Sequence, residues 1–215
     1  MIAGFTTSIQ RCNGVDIAVH RAGKGTPLLL LHGYPQNHMC WELVAPQLAL
    51  NHDVIIPDLR GYGASSAPAN DAGNTTYSKR NMAQDMADLL TALGIARADV
   101  LGHDRGARVS YRFALDHPDR LGKLGIIEIV PTGDFWASWT ADLAMAAYHW
   151  TFLAQPAPCP SGWSAGNQMP ILTGRSHNGP WAIAGSYPHS RVHRTRHCIV
   201  CPLLSSKKKA TSNTV

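Results

Sequence analysis

The 215-residue chain has no apolar run long enough to cross a bilayer. Its solid apolar stretches, such as Pro27–Leu31, fall far short of the ~18 residues a membrane helix needs, so no membrane partner is expected. Cysteine is scarce and irregularly spaced. The five residues Cys12, Cys40, Cys159, Cys198 and Cys201 are odd in number and do not read as a disulfide framework. Met1–Gln10 lacks a basic segment followed by an apolar one, so no secretory signal is read there. A reducing, cytoplasmic setting is the expectation. Charged residues make up only 15% of the chain against 45% hydrophobic, too little charge and too much core material for a disordered chain. Acidic residues are absent after Asp142. All 14 lie between Asp16 and Asp142, where they face 12 Lys and Arg in residues 1–142; residues 143–215 hold seven Lys and Arg and no acid. The formal charge of +5 therefore belongs to the C-terminal part. The larger part is slightly acidic, which argues against nucleic acid as a partner. Internal repeats are absent too.

What is present alternates between strand and helix. Residues 5–22 read as a hairpin about Asn13-Gly14, because both central positions of a tight hairpin turn need positive φ. Pro27–Leu31 and Asp53–Ile56 are apolar runs of the kind buried on both faces of a parallel sheet. Met82, Met86, Leu89, Leu90 and Leu93 form one stripe of a helix over Ser78–Leu93, with Ser78 as its cap and Gly94 as its stop. Asp99–Leu101 reads as a third buried strand, Gly106–His117 as a helix, Leu124–Val130 as a fourth strand, and residues 134–156 as a further helical stretch rich in Ala and Trp. The alternation predicts an α/β fold with a mainly parallel sheet and an N-terminal hairpin. Its division is a core over 1–133, a partial helical lid over 134–160 and an atypical basic, unstructured tail over 161–215.

Gly102-His103-Asp104-Arg105-Gly106 lies between a buried strand and a helix, the pattern of a nucleophile elbow. The bend is sharp, its middle residue is strained, and flanking glycines let strand and helix approach. The middle residue is Asp, which is already ionised at neutral pH and can attack an sp³ carbon to leave an ester on the enzyme. The same pentapeptide also suits an incidental turn with Asp104 as a helix cap. His32-Gly33-Tyr34-Pro35 follows another strand and can aim the Tyr34 N–H into the same crevice. Asp58–Ser65 is Gly-rich but lacks the Lys-Ser/Thr ending of a phosphate loop, so it reads as structural, and neither cofactor nor metal is expected. His193, His197, Cys198 and Cys201 could in principle ligate zinc, but their spacing is poor for it.

Taken together, HGYPQ, DLRGYGAS and GHDRGAR, each after a buried strand, resemble the α/β-hydrolase superfamily. GHDRGARVSYRFALDHPDR, VPT and YHWTFLAQPAP are similar to its fluoroacetate/haloacetate dehalogenase group, over about Phe5–Pro160. Epoxide hydrolases share the first two motifs but commonly carry Trp after the nucleophile. The resemblance implies Asp104 as nucleophile, Arg105 and Arg108 as the grip on a substrate carboxylate, and Tyr34 in the oxyanion loop. It implies His149 and Trp150 as donors to the departing halide. Glu128 matches the acid that orients the catalytic histidine, where the group usually has Asp, and Asp134 is a rival for that role. The implied partner is a small haloacid, and a homodimer would fit the group.

The resemblance stops near Pro160. The group's last strand–helix units, its catalytic histidine and a halide-binding tyrosine have no counterpart here, and none of His177, His189, His193 or His197 is assigned as catalytic. Both the acid-free composition and the loss of hydrophobic period after about Cys159 are what a shifted frame or a retained intron would produce. Three readings follow: a haloacetate dehalogenase-type hydrolase, inactive or limited to a single turnover without that histidine; an epoxide hydrolase-like enzyme; or a non-catalytic fragment.

Overall fold

The computed structural model describes residues 1–148 and Trp150. It holds one six-stranded sheet: β1 (Thr6–Cys12), β2 (Val15–Ala22), β3 (Thr26–Leu31), β4 (His52–Pro57), β5 (Ala98–His103) and β6 (Leu121–Ile127). The spatial order is β1-β2-β4-β3-β5-β6. β1 and β2 form the antiparallel hairpin, with Asn13 and Gly14 at φ 46° and 78° as the tight turn demands. β2 meets β4 antiparallel, and β4, β3, β5 and β6 run parallel.

The helices are α1 (Ala45–Leu48), preceded by a 3₁₀ turn at His38–Trp41, α2 (Lys79–Ala92), α3 (Arg105–Asp116), α4 (Thr132–Ala137) and α5 (Ala141–Ala146). α2 starts where expected, because Ser78 stays extended and its hydroxyl accepts the Asn81 N–H at 3.2 Å. It stops before Gly94, at φ 69°.

Strand period and helix stripe meet in two cores. Leu29, Leu31 and Ile55 turn to one face and pack with Met82, Met86, Leu89, Leu90, Val109 and Phe113. Leu30, Val54 and Ile56 turn to the other, against Ile2, Trp41 and Ala45. Adjacent residues of one strand thus serve opposite faces, as a pleat requires. Each fully buried Leu or Ile contributes roughly 1.5–3 kcal/mol, so these runs hold the sheet that presents the site.

Three sequence expectations need correction. The fourth parallel strand is Leu121–Ile127 rather than Leu124–Val130: it pairs with β5 from Ala98 onward, and Glu128, at φ 54°, turns the chain out of the sheet. β5 runs on to His103, so it delivers the elbow directly. The helical stretch after residue 134 is not continuous: α4 ends at Ala137, the chain breaks at Ser138–Thr140, and Thr140 opens α5 by capping the Leu143 N–H. Residues 151–156 of that stretch, and the expected tail over 161–215 with its His and Cys residues, lie outside the described residues.

Candidate active site

The parallel strands β3, β5 and β6 end side by side, and their carboxyl ends bring the motif loops together. Asp104 follows β5 at φ 46° and ψ −112°, a conformation that L residues rarely hold. Close packing imposes it. A Cβ on Gly106 would run into the Leu31 and His32 carbonyls, and one on Gly102 into the Ser110 hydroxyl and the Ala107 amide. β5 and α3 therefore approach as closely as the elbow needs, and the bend presents Asp104 toward the loop after β3.

Both oxygens of Asp104 face inward. Oδ2 accepts the Tyr34 N–H at 2.9 Å, and Oδ1 accepts Arg108 Nη1 at 3.1 Å. No side-chain capping bond to α3 is made, which removes the reading of Asp104 as an incidental helix cap. Its side chain keeps 31% exposure, so one side of the carboxylate stays open. Arg108 is 6% exposed, not on a solvated helix face, and among the described residues its Nε is buried without a hydrogen-bond partner. Its guanidinium lies 4.5 Å from the centre of the Trp150 ring. Arg105 lies over Tyr34 and Tyr62, at 5.3 and 5.8 Å from the ring centres. Asp104, Arg105, Arg108, Tyr34 and Trp150 are thus assembled at one place. His149 lies outside the described residues.

Glu128 follows β6 and is exposed. Its Oε2 stands 3.1 Å from His103 Nε2. Asp134 sits in the first turn of α4, exposed at the surface.

Some contributors escaped sequence reasoning. Lys79, at the start of α2, is pushed down to about 8, first by burial and then by Arg105 and Arg108, which places it within electrostatic reach of the elbow. A lysine one residue after a helix cap carries no signal of that kind. His32 is fully buried: its Nε2 accepts the Leu59 N–H at 3.0 Å and its Nδ1 donates to the Gly33 carbonyl at 2.9 Å. Burial lowers it to about 4, so it ties two loops together as a neutral ring.

Asp58 opens the Gly-rich loop, as its structural reading requires. It accepts from the His38 N–H, the His38 ring and the Ala64 N–H, at 2.8, 2.9 and 2.9 Å. Burial alone would raise its carboxyl, but the His20 and His38 imidazoles and the Ala64 N–H outweigh that and hold it well below the usual carboxylate range. His20, His38 and Asp58 offer three atoms within 4.8 Å of one another, the spacing of a metal site. The two rings, however, stack at 3.5 Å with 21° between planes. Metal ligation uses the in-plane lone pair of each ring, and stacked rings do not converge those lone pairs on one ion.

The model of the α/β-hydrolase fold family matches residues 26–164, and the chain belongs to that family. The fluoroacetate dehalogenase of Burkholderia sp is 44% identical over 160 residues, covering 74% of this chain and 53% of that protein. A soluble epoxide hydrolase of Corynebacterium sp is 42% identical over 119 residues, covering 55% and 40%. A solved candidate α/β hydrolase from Nostoc sp PCC 7120 shares 46% identity at a TM-score of 0.74, over 77% of this chain and 57% of its own. The chain spans about half the length of the curated relatives it matches. Its mostly parallel sheet with an antiparallel N-terminal hairpin is the α/β-hydrolase fold. No helix among the described residues is long and apolar enough to cross a membrane.

Proposed function

We propose that this chain carries the nucleophile half of a hydrolase that cleaves carbon–halogen bonds of small haloacids. An Asp104 oxygen attacks the halogen-bearing carbon of a haloacetate. The carbon–halogen bond breaks, halide leaves with the bonding pair, and an ester remains on Asp104. Arg105 and Arg108 hold the substrate carboxylate as it is aligned for in-line attack. Trp150, with His149, donates to the departing halide. In the second half, water adds to the ester carbonyl, a base takes its proton, and the hydroxyacid departs from the restored carboxylate. The Tyr34 N–H faces the oxygen on which charge then develops.

One observation carries the reading: an Asp, not a Ser, occupies the strained bend, with an open side and a buried arginine whose Nε lacks a partner among the described residues. An epoxide has no carboxylate for two arginines to hold, which favours the haloacid. The first half needs no base. The second does, and both ring nitrogens of His32 and of His103 are already engaged. The ester is therefore expected to accumulate.

The test is incubation with chloroacetate, thiols first blocked, followed by mass spectrometry of the Asp104 peptide. One carboxymethyl ester per chain, one halide released per chain, and neither in Asp104→Asn is the expected result. No adduct at Asp104, or a diol from an epoxide without halide release from chloroacetate, would overturn it. Repeated turnover without adduct would overturn the single-turnover part.

A further inference from the structure

Glu128 stands where the resembling group places the acid behind a catalytic histidine, yet here its carboxylate faces a different imidazole. The His103 ring is bracketed. Nε2 lies 3.1 Å from Glu128 Oε2, and Nδ1 lies 3.1 Å from Gln36 Oε1. The hydrogen positions follow from the partners' chemistry. Gln36 Oε1 already accepts the Gly33 N–H at 2.9 Å, so it is an oxygen and accepts from His103 as well. The carboxylate oxygen also accepts. An acceptor oxygen thus faces each nitrogen of the His103 ring.

The chain of bonds leads to the nucleophile. The Gln36 N–H donates to the Gly33 carbonyl at 3.1 Å, closing the turn that carries Tyr34. A Cβ on Gly33 would come within 2.8 Å of Asp104 Cβ, 2.9 Å of His103 Nδ1 and 3.0 Å of Gln36 Oε1, so loop and elbow are in direct contact. The next residue, Tyr34, donates its N–H to Asp104 Oδ2 at 2.9 Å. The same elbow is tied to β6 from behind, where the Asp104 N–H donates to the Ile127 carbonyl at 3.1 Å, one residue before Glu128.

We propose that Glu128, acting through His103 and Gln36, is a positioning residue that sets the Tyr34 N–H against Asp104. The relay joins the ends of β6, β5 and β3, three elements that no short sequence segment links. Its bearing on chemistry rests on Asp104 being the nucleophile; its bonds do not.

The test combines nuclear magnetic resonance of the full chain with the chloroacetate reaction. In the wild type, His103 ring nitrogen signals typical of hydrogen-bonded nitrogens and a Tyr34 amide proton shifted by its carboxylate partner are expected, with Asp104→Asn fixing the unpaired limit of that shift. Glu128→Ala should shift the His103 Nε2 signal, move the Tyr34 amide toward that limit and slow ester formation about ten-fold. Glu128→Gln, which keeps an acceptor oxygen, should restore both. Glu128 is exposed, so neither variant threatens the fold. An unchanged Tyr34 amide and unchanged ring signals in Glu128→Ala overturn the relay, as does equal loss in Glu128→Ala and Glu128→Gln. If the wild type forms no ester while the signals behave as stated, the haloacid reading fails and the relay stands.

Discussion

Two aspartates leave the carboxyl ends of parallel strands on either side of β3 by way of tight loops, and they have opposite fates. Asp58, after β4, is fully buried and accepts three hydrogen bonds, from the His38 N–H and ring and from the Ala64 N–H, with His20 Nε2 3.9 Å away. Asp104, after β5, receives one hydrogen bond on each oxygen and stays partly open. A carboxylate enclosed by donors and core stabilises a loop but cannot reach a substrate. One that is steered yet left with an open side can. The two sites differ in how completely donors surround the group.

The comparison breaks most sharply at the carboxylates themselves. Asp104→Asn should lower ester formation by at least about a thousand-fold. Its cost in stability should be smaller than that of Asp58→Asn, since the Asp104 side chain is 31% exposed. Asp58→Asn should do the reverse, losing about 3–5 kcal/mol in urea unfolding because buried partners remain unsatisfied, with the elbow's chemistry affected only through loss of folded protein. The Asp58 carboxyl titrates below its unfolded value of about 3.9. It therefore contributes stability above that pH and loses it as pH falls toward the folded value, and Asp58→Asn should flatten this acid limb of the stability curve.

Arg108→Met sharpens the open side. Removal of the guanidinium on Asp104 Oδ1 should reduce the rate of ester formation about 100-fold with haloacetate. An uncharged alkyl halide, which has no carboxylate to hold, should show a smaller loss, and halide release on the two substrates checks this. The smallest effect concerns Lys79. Its folded value of about 8 lies below the unfolded one of about 10.4, so stability should rise with pH between the two. Lys79→Gln should remove that slope in thermal melts and raise stability at pH 7 by less than about 2 kcal/mol.

Much of the scaffold was legible because its signals are local. Asn13-Gly14 announced the hairpin, Ser78 and Gly94 bounded α2, and the stripe Met82, Met86, Leu89 and Leu90 became core. The β6 boundary was not, since Gly125-Ile126-Ile127 and Ile129-Val130 are equally apolar and only the backbone turn at Glu128 separates them. The break between α4 and α5 was hidden by the Ala- and Trp-rich composition on both sides of Thr140. At the site, Asp104, Arg105, Arg108 and Tyr34 stood out through motif and spacing. Gln36, His103 and Lys79 did not, because their significance lies in partners 25 to 67 residues away or in a helix start that comes to face the elbow.

By itself, then, the amino-acid order determined which segments pair and pack, and put an aspartate at a glycine-flanked bend, because periodicity, caps and turn residues act over a few positions. Only the tertiary structure decided that Asp58 is sealed and Asp104 open, that Arg108 is buried against Asp104, and that Glu128 faces His103. Solvation and hydrogen-bond saturation depend on which distant loops converge at the strand ends.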